Sequence, residues 1–174
     1  MTDESNPRGL YFLAELANAV EAQDADRSEL ERILRYHGAP DPHLSEVDAV
    51  VIRSATGRIG DILATRNPDE AAFAINTLLT RYPARPVLVQ LPGRPWSMHS
   101  HPPETADREY WLLSTAALAL GLWLSDTGRC AWGRCAAPDC HRFYIDTGRR
   151  QPQKYCTPRC ATRTRVATHR QRTS

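Results

Sequence analysis

The chain of 174 residues is 41% hydrophobic and 24% charged, a composition that supports a buried core and excludes an intrinsically disordered chain. Its net charge of +2 divides into −5 over residues 1–134 (13 Arg against 18 Asp and Glu) and +7 over residues 135–174 (9 Lys and Arg against 2 Asp). The polar start, Met1 to Pro7 with Asp3 and Glu4, lacks a leader's basic and apolar segments, and the longest apolar run, Trp111 to Leu124, has 14 residues where a membrane span needs roughly 20. A cytoplasmic protein without a membrane segment is expected.

Helix signals dominate as far as residue 81. Asn6-Pro7 offers a cap and a first-turn proline, after which Leu10, Leu13, Ala17 and Val20 recur on one face. Asp26 with Glu29 opens a second helix that turns Leu30, Ile33 and Leu34 inward and closes at Gly38 and Pro40. A third is predicted from Ser45 to Thr65 with Val47, Val51, Ile59, Ile62 and Leu63 as core, although Gly57 and Gly60 weaken its middle. Asn67-Pro68 with Glu70 begins a fourth, carrying Ala71, Ile75, Leu78 and Leu79 until Pro83.

Val87 to Leu91 and Trp96 to His101 flank Pro92-Gly93-Arg94-Pro95 and read as a β-hairpin. His99 and His101 alternate on the second strand, with no Cys or carboxylate nearby to complete a metal site. After Pro102-Pro103, Thr105 to Leu124 supplies the most hydrophobic helix, which Asp126-Thr127-Gly128 ends. The fold class expected is mainly α with one small hairpin (α+β), followed by a cysteine-rich module. The chain divides into a helical domain over 1–130 and a metal-dependent module over 134–174 too small to fold on its own core.

All five cysteines fall between residues 130 and 160. In a reducing compartment such clustering points to metal. Cys135-x4-Cys140, fifteen residues, then Cys156-x3-Cys160 is the spacing of a tetrahedral thiolate site, each close pair spanning one edge of the tetrahedron. Four thiolates leave no position for water, so one structural Zn²⁺ is expected; an iron–sulfur cluster would take the same donors. Cys130-x4-Cys135 repeats the first spacing, and spacing alone does not choose between Cys130 and Cys140. Cys140 is preferred because it abuts the segment whose far end is Cys156.

His141 to Asp146 reads as a strand, Thr147-Gly148-Arg149-Arg150 as a turn and Gln153 to Tyr155 as the returning strand. Phe143 and Tyr155 are expected to pack on the metal centre rather than stack on bases. Thr157-Pro158 starts a helix reaching toward Gln171, with Cys160 in its first turn. This is a treble-clef-like layout.

The stretch Cys135-Ala-Ala-Pro-Asp-Cys140-His-Arg-Phe-Tyr-Ile-Asp146, followed by Tyr155-Cys156-Thr-Pro-Arg-Cys160-Ala-Thr-Arg163 and the His169-Arg170-x-Arg172 run, resembles the CGNR zinc-finger family. The resemblance implies a mostly helical N-terminal ABATE domain before the finger and a role as a stress-induced transcription regulator. Over that N-terminal part, Asn18 is the one position that aligns. Where the family has Cys-Gly-Asn-Arg, this chain has Cys160-Ala161-Thr162-Arg163, which keeps the ligand and the arginine and alters the two residues between.

At about 100° per residue, Cys160, Thr164, Ala167 and Gln171 share a face toward the metal, while Arg159, Arg163, Val166 and Arg170 form the adjoining one and Arg165, His169 and Arg172 the other flank. Arg149 and Arg150 at the turn join these as candidate phosphate contacts. DNA is the expected partner, with RNA as the other polyanion. A small-molecule effector or a homodimer contact is left for the helical domain. The competing reading is a zinc-stabilised protein-interaction module, its basic tail docked on another protein or on the acidic N-terminal part. No nucleophile–base pair, phosphate loop or His-Glu metalloenzyme spacing occurs, so no enzyme activity is expected.

Overall fold

The computed structural model describes residues 9–90, 95–148 and 152–172, the last four through their backbone alone. The expected start at Asn6-Pro7, the turn from Pro92 to Arg94, Leu91 and the Arg149-Arg150 turn lie outside the described residues.

Five helices make the body: α1 (Leu10–Glu21), α2 (Arg27–His37), α3 (Glu46–Ala64), α4 (Pro68–Arg81) and α5 (Arg108–Thr127). Their ends follow from local chemistry. Asp26 caps α2 by accepting from Glu29 N at 2.8 Å, and Gly38 closes it in the left-handed region at φ 76°. Ser45 and Asp48 form a reciprocal capping box on α3, and Asn67 caps α4 ahead of Pro68. Asp107 caps α5 through Tyr110 N, so this helix starts at Arg108 and not at Thr105, and it continues to Thr127.

The core takes Leu10, Leu13, Leu16, Leu30, Ile33, Leu34, Ile52, Ile59, Leu63, Leu112 and Leu113, all nearly inaccessible. Three expected core residues are not there: Val47 is 72% exposed, Leu79 44%, and Val51 is only half-buried outside the core cluster. On α3 the expected Ile59, Ile62 and Leu63 are buried, but in its first half the inward positions are Ala49, Ile52 and Ala55 in place of Val47 and Val51. Small residues permit the close approach of α1 and α5 there, and bulk alone misplaced the first half of the face. α3 runs unbroken through Gly57 and Gly60.

The first hairpin pairs β1 (Arg85–Gln90) with β2 (Trp96–His101), Val87 opposite His99, and is tied to α5 by Ser100 Oγ donating to Ser114 Oγ at 2.9 Å. His99 meets Ser97 Oγ at 3.0 Å, and neither His99 nor His101 belongs to a potential metal cluster among the described residues. None of the described helices is long and apolar enough to cross a membrane.

A second hairpin, β3 (Trp132–Arg134) with β4 (Phe143–Ile145), lies against α1 and α3. Trp132, Phe143 and Ile145 belong to the same apolar cluster as the helical body. The core thus continues across residues 130–134, where the sequence suggested a boundary. The helix α6 (Pro158–Arg172) follows, and none of its described side chains is buried.

Candidate metal centre

The hairpin that carries the first two cysteines is welded to the body by specific polar contacts as well as by burial. The Asn18 side chain on α1 donates to Phe143 O at 3.1 Å and accepts from Phe143 N at 2.7 Å, serving the outer edge of β4 as a neighbouring strand would. Trp132 Nε1 donates to Ile62 O at 3.1 Å, and Arg134 holds Glu21 through both carboxylate oxygens at 2.7 and 3.0 Å. Gly133 leaves room for Arg66 to cross β3, since a Cβ there would lie 2.1 Å from Arg66 Nη1, which donates to Tyr144 OH at 3.0 Å.

Pairing differs from the expected layout. β4 is the predicted His141–Asp146 strand, shortened, but its partner is β3 and not Gln153–Tyr155. The returning segment makes only isolated contacts: Tyr144 OH donates to Gln153 O at 2.6 Å, and Ala136 N donates to Lys154 O at 2.8 Å. The three residues Trp132 to Arg134 are too few to advertise a strand, and their pairing depends on the body beneath them. Phe143 accordingly packs in the helical core, with the Arg134 guanidinium 4.3 Å above its ring, instead of on the metal centre. Tyr155 is half-buried.

Between the strands, Ala137-Pro138-Asp139-Cys140 makes a tight turn closed by Cys140 N donating to Ala137 O at 3.2 Å, with Asp139 at φ 60°. Proline second and a positive φ third define a type II turn. Cys135 and Cys140 flank it and point together. Thr157 accepts from Cys160 N at 3.2 Å and caps the start of α6, placing Cys156 just before the helix and Cys160 in its first turn.

The four thiols of Cys135, Cys140, Cys156 and Cys160 converge, all Sγ atoms within 4.8 Å of one another. Cys140 to Cys156, Cys156 to Cys160 and Cys160 to Cys140 are 3.7, 3.7 and 3.9 Å. Zn–S bonds of about 2.3 Å in a tetrahedron require sulfur separations of about 3.8 Å, so the donor set fits a single Zn²⁺ with no open position. A cluster of several irons would need its cysteines further apart. Cys130 is buried outside this group, so the ambiguity of the repeated x4 spacing resolves to Cys140.

Without metal the thiols are unequal. Burial, then the neighbouring thiols, push Cys156 up to about 12, whereas the Thr157 hydroxyl draws Cys160 down to about 7. Backbone amides supply further stabilisation for thiolates: Cys156 N donates to Cys135 Sγ at 3.3 Å. A divalent cation would hold all four as thiolates, so affinity should fall with acid.

The basic helix leaves most of its described side chains exposed. Thr162, Arg163, Arg165, Val166, Ala167 and Thr168 are exposed, which removes Ala167 from the face expected to pack toward the metal. Arg159 and Arg165 are exposed with no ion pair among the described residues, and Arg163 Nη2 donates to Pro138 O at 3.1 Å. Arg149 and Arg150, and the side chains of His169, Arg170 and Arg172, lie outside the described residues. Sequence reasoning missed the bonding role of Asn18 and the bond from Arg163; Pro138-Asp139 was the available signal, as a turn dipeptide inside the first cysteine pair.

Four convergent thiolates on a hairpin and a following helix define a four-cysteine zinc finger. Residues 132–173 match the family model described as CGNR zinc finger, which takes in β3 and so begins at Trp132. No curated protein matches the chain.

Proposed function

We propose that this protein is a DNA-binding transcription regulator whose zinc site holds a basic helix ready for phosphate contact. The observation that carries this reading is the unpaired state of that helix. On the body, Arg27, Arg32, Arg58 and Arg108 are each bonded to a carboxylate, while Arg35, Arg81 and Arg85 are not; α6 instead gathers five arginines with no Asp or Glu of its own, and among the described residues neither Arg159 nor Arg165 has a carboxylate partner. Positive charge left without an internal partner is available to a polyanion. The helical body, an ABATE-type domain on the resemblance drawn from the sequence, then serves as a sensing or dimerising unit, and the protein acts in the cytoplasm, in stress response, without catalysis of its own.

One observation favours the protein-interaction reading: Val166 is 45% exposed amid the arginines. The two readings separate on salt. Zinc-loaded protein titrated with genomic DNA fragments should bind with log K falling linearly in log[salt]. A protein that holds one zinc per chain and yet shows no DNA binding at low salt overturns the DNA reading.

A further inference from the structure

We infer that Arg163 is a positioning residue, which fixes the direction of α6 by latching it to the turn between Cys135 and Cys140, and that Arg159 and Arg165 are left as phosphate contacts of the described helix. The second half rests on the DNA reading; the first does not.

In a type II turn the central peptide is flipped relative to type I, which crowds its carbonyl against the third residue and explains the usual preference for glycine there. Here that third residue is Asp139, at φ 60°. The flipped carbonyl belongs to Pro138, and it is this oxygen that accepts from Arg163 Nη2 at 3.1 Å. Side chains on a helix lean toward its N-terminus, so an arginine one turn beyond Cys160 reaches back over the ligand turn to the other side of the metal. Apart from the first-turn bond from Ala161 N to Thr157 O, this is, among the described residues, the only hydrogen bond joining α6 beyond Cys160 to the rest of the protein.

The geometric consequence is an axis defined by two points. Cys160 alone, through the metal, leaves the helix free to pivot about its first turn. A second attachment three residues later removes that freedom, and it comes from a planar guanidinium with several donors in fixed directions. The arginine that survives where this chain has Ala161 and Thr162 is thus the one whose side chain contacts the finger itself.

The test uses the full zinc-loaded chain with Arg163→Ala and Arg159→Ala. Arg163→Ala should raise amide hydrogen exchange over residues 161–168 at least tenfold and speed zinc transfer to a chelator, while Arg159→Ala leaves both at the parent's values. On DNA, Arg163→Ala should lose affinity with an unchanged salt slope, and Arg159→Ala should reduce that slope by roughly one. Parent-like exchange and zinc transfer in Arg163→Ala, or a slope reduced by one, overturns the positioning role. Exchange and zinc transfer are read without DNA, so failure of the DNA reading is distinguishable from failure of the latch. If Arg163→Ala does not hold one zinc per chain, Arg163→Met, which keeps the aliphatic stem, carries the same three measurements.

Discussion

Cys135 and Cys140 stand on a hairpin whose Trp132, Phe143 and Ile145 are buried in the helical core, whereas Cys156 and Cys160 stand on a segment whose helix buries none of its described side chains. The first pair is preorganised by the body. The second has the metal, the Tyr144–Gln153 and Ala136–Lys154 contacts and the Arg163 latch. Metal binding therefore orders the second half against a platform that already exists, and local stability should divide after Asp146 and not at the start of the finger.

Zinc removal gives the largest expected effect, because structural zinc contributes on the order of 10 kcal/mol or more to the folding of small modules. Chelation should abolish exchange protection over residues 158–168 while Trp132 stays buried and residues 132–145 stay protected. A single cooperative loss of all helical signal breaks the comparison.

Asn18→Ala attacks the platform. It strips both bonds from Phe143, and each buried backbone group left unpaired costs about 1–3 kcal/mol. Urea unfolding should show that loss, with zinc transfer accelerated as well; an unchanged midpoint means that the hairpin holds without the amide.

Asp146 closes the same hairpin, 3% exposed, accepting from Gly148 N at 2.8 Å and paired with Arg129 at 2.8 Å. Burial pushes its carboxyl up, but the Gly148 amide and then Arg129 outweigh this and hold it below the usual carboxylate value. A folded pKa below the unfolded value of about 3.9 means stability that is present above that pH and lost as pH falls through the folded pKa. Asp146→Asn should cost about 1–2 kcal/mol at neutral pH, discounted because Arg129 is half-exposed. The deficit should shrink below about pH 4 in a series of urea midpoints; a deficit independent of pH removes the charge from the explanation.

Smaller effects sharpen the contrast from the body's side. Thr56 Oγ1 is buried without a hydrogen-bond partner, and Thr56→Val should stabilise by up to about 1 kcal/mol in thermal unfolding, leaving exchange over α6 unchanged. Cys130→Ser should leave zinc at one per chain by metal analysis, since Cys130 lies outside the thiol cluster. Zinc lost there and kept in Cys140→Ser reverses the ligand assignment.

The four-thiolate chemistry of the cysteine cluster, the start of α6 at Thr157-Pro158 and the caps at Asp26, Ser45 and Asn67 were legible in the sequence, because each depends on residues within a few positions of one another and on chemistry that the side chains carry with them. Cysteine spacing reports its metal wherever the chain goes. The choice of Cys140 over Cys130, the pairing of β4 with Trp132–Arg134, the inward face of the first half of α3 and the engagement of Arg163 with Pro138 were decided by tertiary structure. Each is settled by which surface comes to lie opposite: a three-residue strand has no signal until a helix side chain such as Asn18 serves its neighbour's edge, and an arginine on a basic helix looks like its neighbours until a turn presents a carbonyl to it.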